Sequence, residues 1–208
     1  MPEPETAAET GTAAAVAEAG VGTGAARPPV GRARPLAAPS ALRLPDGFPD
    51  AKASTTQRTL LDAVITAAIP DPPCVGRLAL PRLDRWTLGA VEALVEVGRD
   101  VSFRAGVVFG GYLTCLADLF AGFAVMTVLP DGHGFLTIDL NTTFHLPVTP
   151  GQLQVESTVD DLSRRRAVVS VRMRQDGRLA ASAMATQMIV RGPQSAALSP
   201  LLSDQVAD

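Results

Sequence analysis

One stretch constrains the fold of this chain more than any other. It is the nearly unbroken apolar run Val107-Val-Phe-Gly-Gly-Tyr-Leu-Thr-Cys-Leu-Ala-Asp-Leu-Phe-Ala-Gly-Phe-Ala-Val-Met-Thr-Val-Leu129, in which Asp118 is the single charged residue. A helix apolar on every side must be enclosed, by lipid or by the rest of a core. A lone carboxylate inside it is costly, because desolvation disfavours the ionised form unless a partner or a task compensates. Asp118 also lies too far from either end to act as a cap, and aspartate is a poor helix-interior residue. Function is therefore the first explanation to test for it.

The run is long enough to cross a bilayer. Its central acid, the glycine pair at its start, and Asp131-Gly132 where a basic flank would stand favour a buried core helix instead. With 208 residues the chain can bury one substantial core and carry a tail. A net charge of -3 gives no sign of the basic face that nucleic acid requires. Cys74 and Cys115 lack metal-ligand spacing and suit a reducing compartment. Glu3, Glu5 and Glu9 stand where a secretory signal would be basic. The expectation is a cytoplasmic protein with no nucleic-acid or membrane partner, no cofactor and no metal.

Residues 1–52 are rich in Ala, Gly, Pro, Glu and Thr, and are expected to form a disordered tail for want of apolar surface to offset ordering entropy. Ser54-Thr-Thr-Gln57 has capping-box spacing, and Leu60, Leu61, Val64, Ile65 and Ala68 follow at helical intervals. Pro70, Pro72, Pro73 and Pro81 impose a loop, so residues 53–85 read as an amphipathic helix and a proline-rich connector. Between Trp86 and Val97, Val91, Ala93, Val95 and Val97 alternate with Glu92, Leu94 and Glu96; this fits a strand, while the four-residue spacing of the glutamates leaves a helix open.

Past the apolar helix, Pro130-Asp-Gly-His-Gly134 predicts a turn. Extended runs follow at 135–146, 153–162, 167–175 and 178–190, with Asp176-Gly177 as a hairpin turn. Residues 86–192 are thus expected to form one α+β domain, four antiparallel strands in succession after the helix they wrap, with a flexible tail over 193–208.

Gly110-Gly-Tyr-Leu-Thr-Cys-Leu-Ala-Asp118, with Thr137-Ile-Asp-Leu-Asn141, Pro147, Pro150-Gly151 and Arg164-Arg-Arg166 downstream, resembles the hotdog-fold acyl-CoA thioesterases of the phenylacetate-pathway (PaaI-like) type. The resemblance covers about residues 86–190. It implies a hotdog fold, an antiparallel sheet around one long buried helix, and hydrolysis of an acyl-CoA or acyl-carrier thioester to free acid and thiol. It also implies a homodimer or homotetramer with sites at the subunit interface.

By the same resemblance Asp118 is the general base that activates water, or less often the direct nucleophile. A carboxylate in an apolar pocket is a better base at neutral pH. The residues themselves also allow a buried aspartate bonded to a neighbouring hydroxyl. Gly110 and Gly111 open the helix, where free backbone N–H groups suit a thioester oxyanion; close packing is the alternative. Gly110 supplies the donor by resemblance. Thr137 falls where relatives hold the attacking water with a hydroxyl, although strand propensity alone explains a threonine. By alternation it is expected to share a face with Asp139 and Asn141.

Arg164, Arg165 and Arg166 form the densest basic cluster, fit for coenzyme A phosphates or for a solvated turn. Two departures stand out. Phe109 occupies the position where relatives commonly carry a histidine, and Ser102-Phe-Arg-Ala-Gly106 lacks their asparagine, which leaves backbone donors for the oxyanion. Without a histidine near the helix start, hydratase chemistry is disfavoured, and His133 and His145 read as structural or exposed. A non-catalytic module binding an acyl chain or acyl-CoA is the rival reading. Phe109, Tyr112, Phe120, Phe123 and Met126 would then line its pocket.

Overall fold

The computed structural model describes Leu36 and residues 38–191. Most of the expected amino-terminal tail, and the expected carboxy-terminal tail, lie outside them. Residues 38–52 run through turns, and Leu42, Leu44 and Phe48 pack against the core. Packed structure therefore begins before residue 53. Apolar side chains after Leu36 supply the surface that the earlier composition lacks.

Helix α1 spans Thr56–Ile65 and buries Leu60 and Leu61. Its cap is Thr55 rather than Ser54: the Thr55 hydroxyl accepts the amide of Arg58 at 3.3 Å. The third helical position thus holds Arg58, not Gln57, and this arginine is buried. Its Nε donates to the Thr127 carbonyl at 2.8 Å, Nη1 to the carbonyls of Asp50 (2.7 Å) and Ala53, and Nη2 to Pro49 at 3.2 Å. Four carbonyls from two segments hold one guanidinium, whose desolvation lowers its pKa from the ordinary value. A short helix α2, Pro73–Arg77, lies in the proline-rich connector.

Strands β1 (Arg85–Thr87) and β2 (Ala90–Val97) resolve the ambiguous Trp86–Val97 stretch as a hairpin. Its turn at Leu88-Gly89 needs glycine twice over. Gly89 has a φ of +74°, and a Cβ there would sit 2.4 Å from the Leu42 side chain. Along β2, Ala93, Val95 and Val97 face the core while Leu94 and Glu96 face out.

Helix α3, Gly110–Met126, is the apolar run. Among the described residues no helix is long and apolar enough to cross a membrane. Strands β3 (His133–Phe144), β4 (Gly151–Leu162), β5 (Arg166–Gln175) and β6 (Arg178–Arg191) follow. Asp176 and Gly177 both adopt positive φ, 52° and 74°, as the tight β5–β6 hairpin requires.

The sheet is wholly antiparallel, in the order β1-β2-β4-β5-β6-β3. The expected simple succession after the helix is corrected here. β3 does not pair with β4 but crosses over to the far edge, beside β6. α3 packs against β2 through β6, and Leu116, Phe120, Ala121, Ala124 and Val125 lock into Val95, Val155, Val169, Val171 and Ala185 in one apolar cluster.

Candidate active site

Phe109 caps α3 without a side-chain hydrogen bond. The first helical bonds run from Tyr112 and Leu113 to the Phe109 carbonyl, so the amides of Gly110 and Gly111 precede any intrahelical acceptor. Both glycines meet aromatic rings. A Cβ on Gly110 would lie 3.1 Å from the Phe144 ring, and one on Gly111 would lie 2.4 Å from the ring of Phe109. Close packing and free amides therefore coexist at this helix start.

Asp118 lies two turns further along and is exposed. The expectation of a buried acid is corrected. The sheet covers one side of α3, and in a single chain the flank carrying Gly111, Thr114, Cys115 and Asp118 is left open. Solvent, rather than apolar walls, surrounds the carboxylate in this chain taken alone. Thr137 on β3 donates its hydroxyl to Asp118 Oδ1 at 2.7 Å. The Thr137 hydroxyl oxygen also lies 3.0 Å from Oε1 of Gln187, the cross-strand partner of Thr137 on β6, which is fully buried.

A β-bulge follows Thr137. Thr137 pairs with Gln187, and Asp139 pairs with Thr186, so Ile138 is the extra residue. Because side chains alternate, the bulge sends Asp139 and Asn141 to the face opposite Thr137, against the sequence expectation. Alternation cannot reveal an inserted residue.

A groove of about 640 Å³ adjoins the helix start, lined by Leu78, Ala79, Val101, Phe103, Phe109 and Tyr112 among others, with Arg77 and Asp100 also in its lining. Phe103 and Phe109 meet edge to face at 5.5 Å. Tyr112 is buried and donates its hydroxyl to the Ala79 carbonyl at 2.8 Å, which ties the connector onto α3. Burial above all, then the charges of Asp100 and Cys115, push its phenol up to about 12. Of the aromatic lining expected from sequence, Phe109 and Tyr112 reach this groove. Phe120 is wholly buried, edge to face with Phe123, and belongs to the core.

Arg164 and Arg165 lie between β4 and β5 and line a second concavity of about 380 Å³ with Asp46, Phe48, His133 and Arg191. Arg166 instead pairs with Asp161 at 3.3 Å. Arg191 donates to Nε2 of the buried His133 at 2.6 Å, and His133 Nδ1 lies 3.1 Å from the Asp131 carbonyl. His145 bonds the Ser182 hydroxyl at 2.8 Å. Arg191 gave no signal in the sequence, because only the β3–β6 pairing carries it to this cavity.

Residues 105–181 match the family model described as the thioesterase superfamily. The chain has a hotdog fold, an antiparallel sheet wrapped on α3, and over these residues it is similar to that superfamily. A phenylacetic acid degradation-related protein from Ralstonia eutropha JMP134 is 26% identical, with a TM-score of 0.56 over 62% of this chain and 98% of its own. A thioesterase from Haemophilus influenzae, 20% identical with a TM-score of 0.57, covers 67% of this chain and 94% of its own. Zebra fish thioesterase superfamily member 2 is 22% identical with a TM-score of 0.55, over 65% and 99%. The last two carry the likeness of fold alone. Among curated proteins none matches. The thioesterase-superfamily match contains α3, Asp118 and Thr137, whereas Arg191 and Gln187 lie outside it.

Proposed function

We propose that the chain hydrolyses an acyl thioester, carried by coenzyme A or a carrier protein, to acid and thiol. The match of residues 105–181 to the thioesterase superfamily supports thioester hydrolysis in general. The observation that carries the residue assignment is the carboxylate of Asp118, open to water and oriented by the Thr137 hydroxyl at 2.7 Å. Asp118 takes a proton from a water held beside Thr137. The resulting hydroxide attacks the thioester carbon, and the oxyanion is held by the Gly110 amide with Gly111 beside it. The carbon–sulfur bond breaks, and the proton on Asp118 passes to the leaving thiolate.

Helix geometry supports a two-copy site, as the resemblance implies. Gly110 and Asp118 are eight residues apart, about 12 Å along the helix axis. Reacting groups must approach to about 3 Å, so one carbonyl cannot meet both within one chain. A second copy related by a two-fold axis brings Asp118 of one chain to the glycines of the other. The edge supports this assembly: β3 is twelve residues long and, among the described residues, has no neighbour beyond it, with Leu136 45% and Ile138 58% exposed.

The groove of Phe109, Gly111 and Tyr112 then takes the acyl group, and Arg164 and Arg165, joined by Arg191, take the phosphates of the thiol carrier. The link of the Ralstonia eutropha relative to phenylacetic acid degradation makes arylacetyl thioesters the first substrates to try. The test is thiol release across aromatic, short and long acyl-CoA substrates, with Asp118→Asn and Asp118→Ala alongside. Turnover that falls about a hundredfold or more in both variants is expected. Tight acyl-CoA binding with no thiol released would make the chain a binding module instead.

A further inference from the structure

Gln187 sits on β6, fully buried, directly across from Thr137, with the small Ala167 as its neighbour on β5. A buried amide needs partners for both its oxygen and its nitrogen. Its Oε1 lies 3.0 Å from the Thr137 oxygen, while its Nε2 has no partner among the described residues. Thr137 is also 2.7 Å from Asp118 Oδ1. A hydroxyl owns one proton, so it cannot donate to the carboxylate and to an amide oxygen together. The shorter contact, to a carboxylate, is the stronger claim on that proton. Turning the amide by half a revolution leaves its shape unchanged and places Nε2–H on the Thr137 oxygen. One Nε2 proton and the Thr137 proton then each have an acceptor, and the group left without a partner is the amide oxygen, which tolerates that better than a buried N–H.

We infer that Gln187 is a positioning residue for the proposed base: its Nε2–H donates to Thr137, which commits the single hydroxyl proton of Thr137 to Asp118. The inference rests on the hydrolytic reading above. The amide touches neither water nor substrate and acts through Thr137 alone. The bulge at Ile138 begins immediately after this pair, so the ladder stays in register up to Thr137 and the two side chains remain face to face.

The test is a double-mutant cycle on steady-state thioester hydrolysis, with each Tm measured. Gln187→Met keeps the volume and removes the donor. Its kcat should fall about ten- to hundredfold with KM held within about twofold, as for a base left misaligned. Thr137→Val should lose at least as much, and adding Gln187→Met to Thr137→Val should cost less than about twofold more. Losses that multiply, a rise in KM with kcat unchanged, or a Gln187→Met enzyme equal to wild type would overturn the inference. Should Gln187→Met melt below the assay temperature, Gln187→Asn, whose amide is one methylene too short to reach Thr137, is held to the same outcomes. Asp118→Asn separates the two levels. If that variant is inactive while Gln187→Met is fully active, only the role of Gln187 fails. If Asp118→Asn turns over as wild type, the hydrolytic assignment fails and the inference with it.

Discussion

Thr137 on β3 reaches across to Asp118 on α3 at 2.7 Å, joining the edge of the sheet to the open flank of the core helix. The bond fixes where the carboxylate points without removing it from water. It also explains how an acid is tolerated within so apolar a helix. The side chain leaves the core along the uncovered flank and finds a donor there.

Tyr112 is the only tyrosine in the chain, so its ionisation can be followed by tyrosinate absorbance without overlap from another phenol. The midpoint should lie near 12, raised by burial first and by Asp100 and Cys115 after it. An unfolded tyrosine titrates near 10. The folded value is the higher one, so the stability linked to this phenol is complete below pH ~10 and lost as pH rises toward 12. A midpoint near 10 in the folded protein would contradict the burial. Tyr112→Phe should cost about 1 kcal/mol by urea denaturation, for the lost bond to Ala79.

Arg58→Met should destabilise the protein by about 3 kcal/mol in the same assay, since it leaves the carbonyls of Pro49, Asp50, Ala53 and Thr127 without their shared donor. A loss under about 0.5 kcal/mol, ordinary for a surface substitution, would show that the guanidinium does not hold these segments together.

Asp131 accepts the amide of Thr56, the first residue of α1, at 2.7 Å, and this bond lowers its pKa. A depressed folded value means that its contribution is present above the unfolded pKa of about 3.9 and lost as pH falls through the lower folded one. Asp131→Asn should therefore melt below wild type at neutral pH, with the gap in Tm closing in acid. A gap that persists unchanged at pH 2 would contradict the assignment.

Much of this was legible in the sequence because period and turn chemistry are local. Alternation marked β4, β5 and β6 within a residue or two, and Asp176-Gly177 marked their hairpin. What needed the fold was whatever depends on which elements become neighbours. The crossing of β3 to the edge, and so the placing of Thr137 against Gln187 and of His133 against Arg191, is a long-range pairing with no local signature. The bulge at Ile138 hid which face Asp139 occupies. The apolar run marked α3 but not which flank the sheet would leave bare, and Asp118 proved exposed on that flank.

The central claim is that Asp118 of one chain acts on a carbonyl held by Gly110 of another, and subunit mixing tests it most directly. Asp118→Asn and Gly110→Val, each purified alone, should both be close to inactive. Co-expressed in equal amounts, they should recover about a quarter of wild-type thioester hydrolysis, because half of the dimers are mixed and each mixed dimer carries one intact site of two. Activity that stays at the level of the single variants after mixing, with mixed dimers shown to form, would contradict the account.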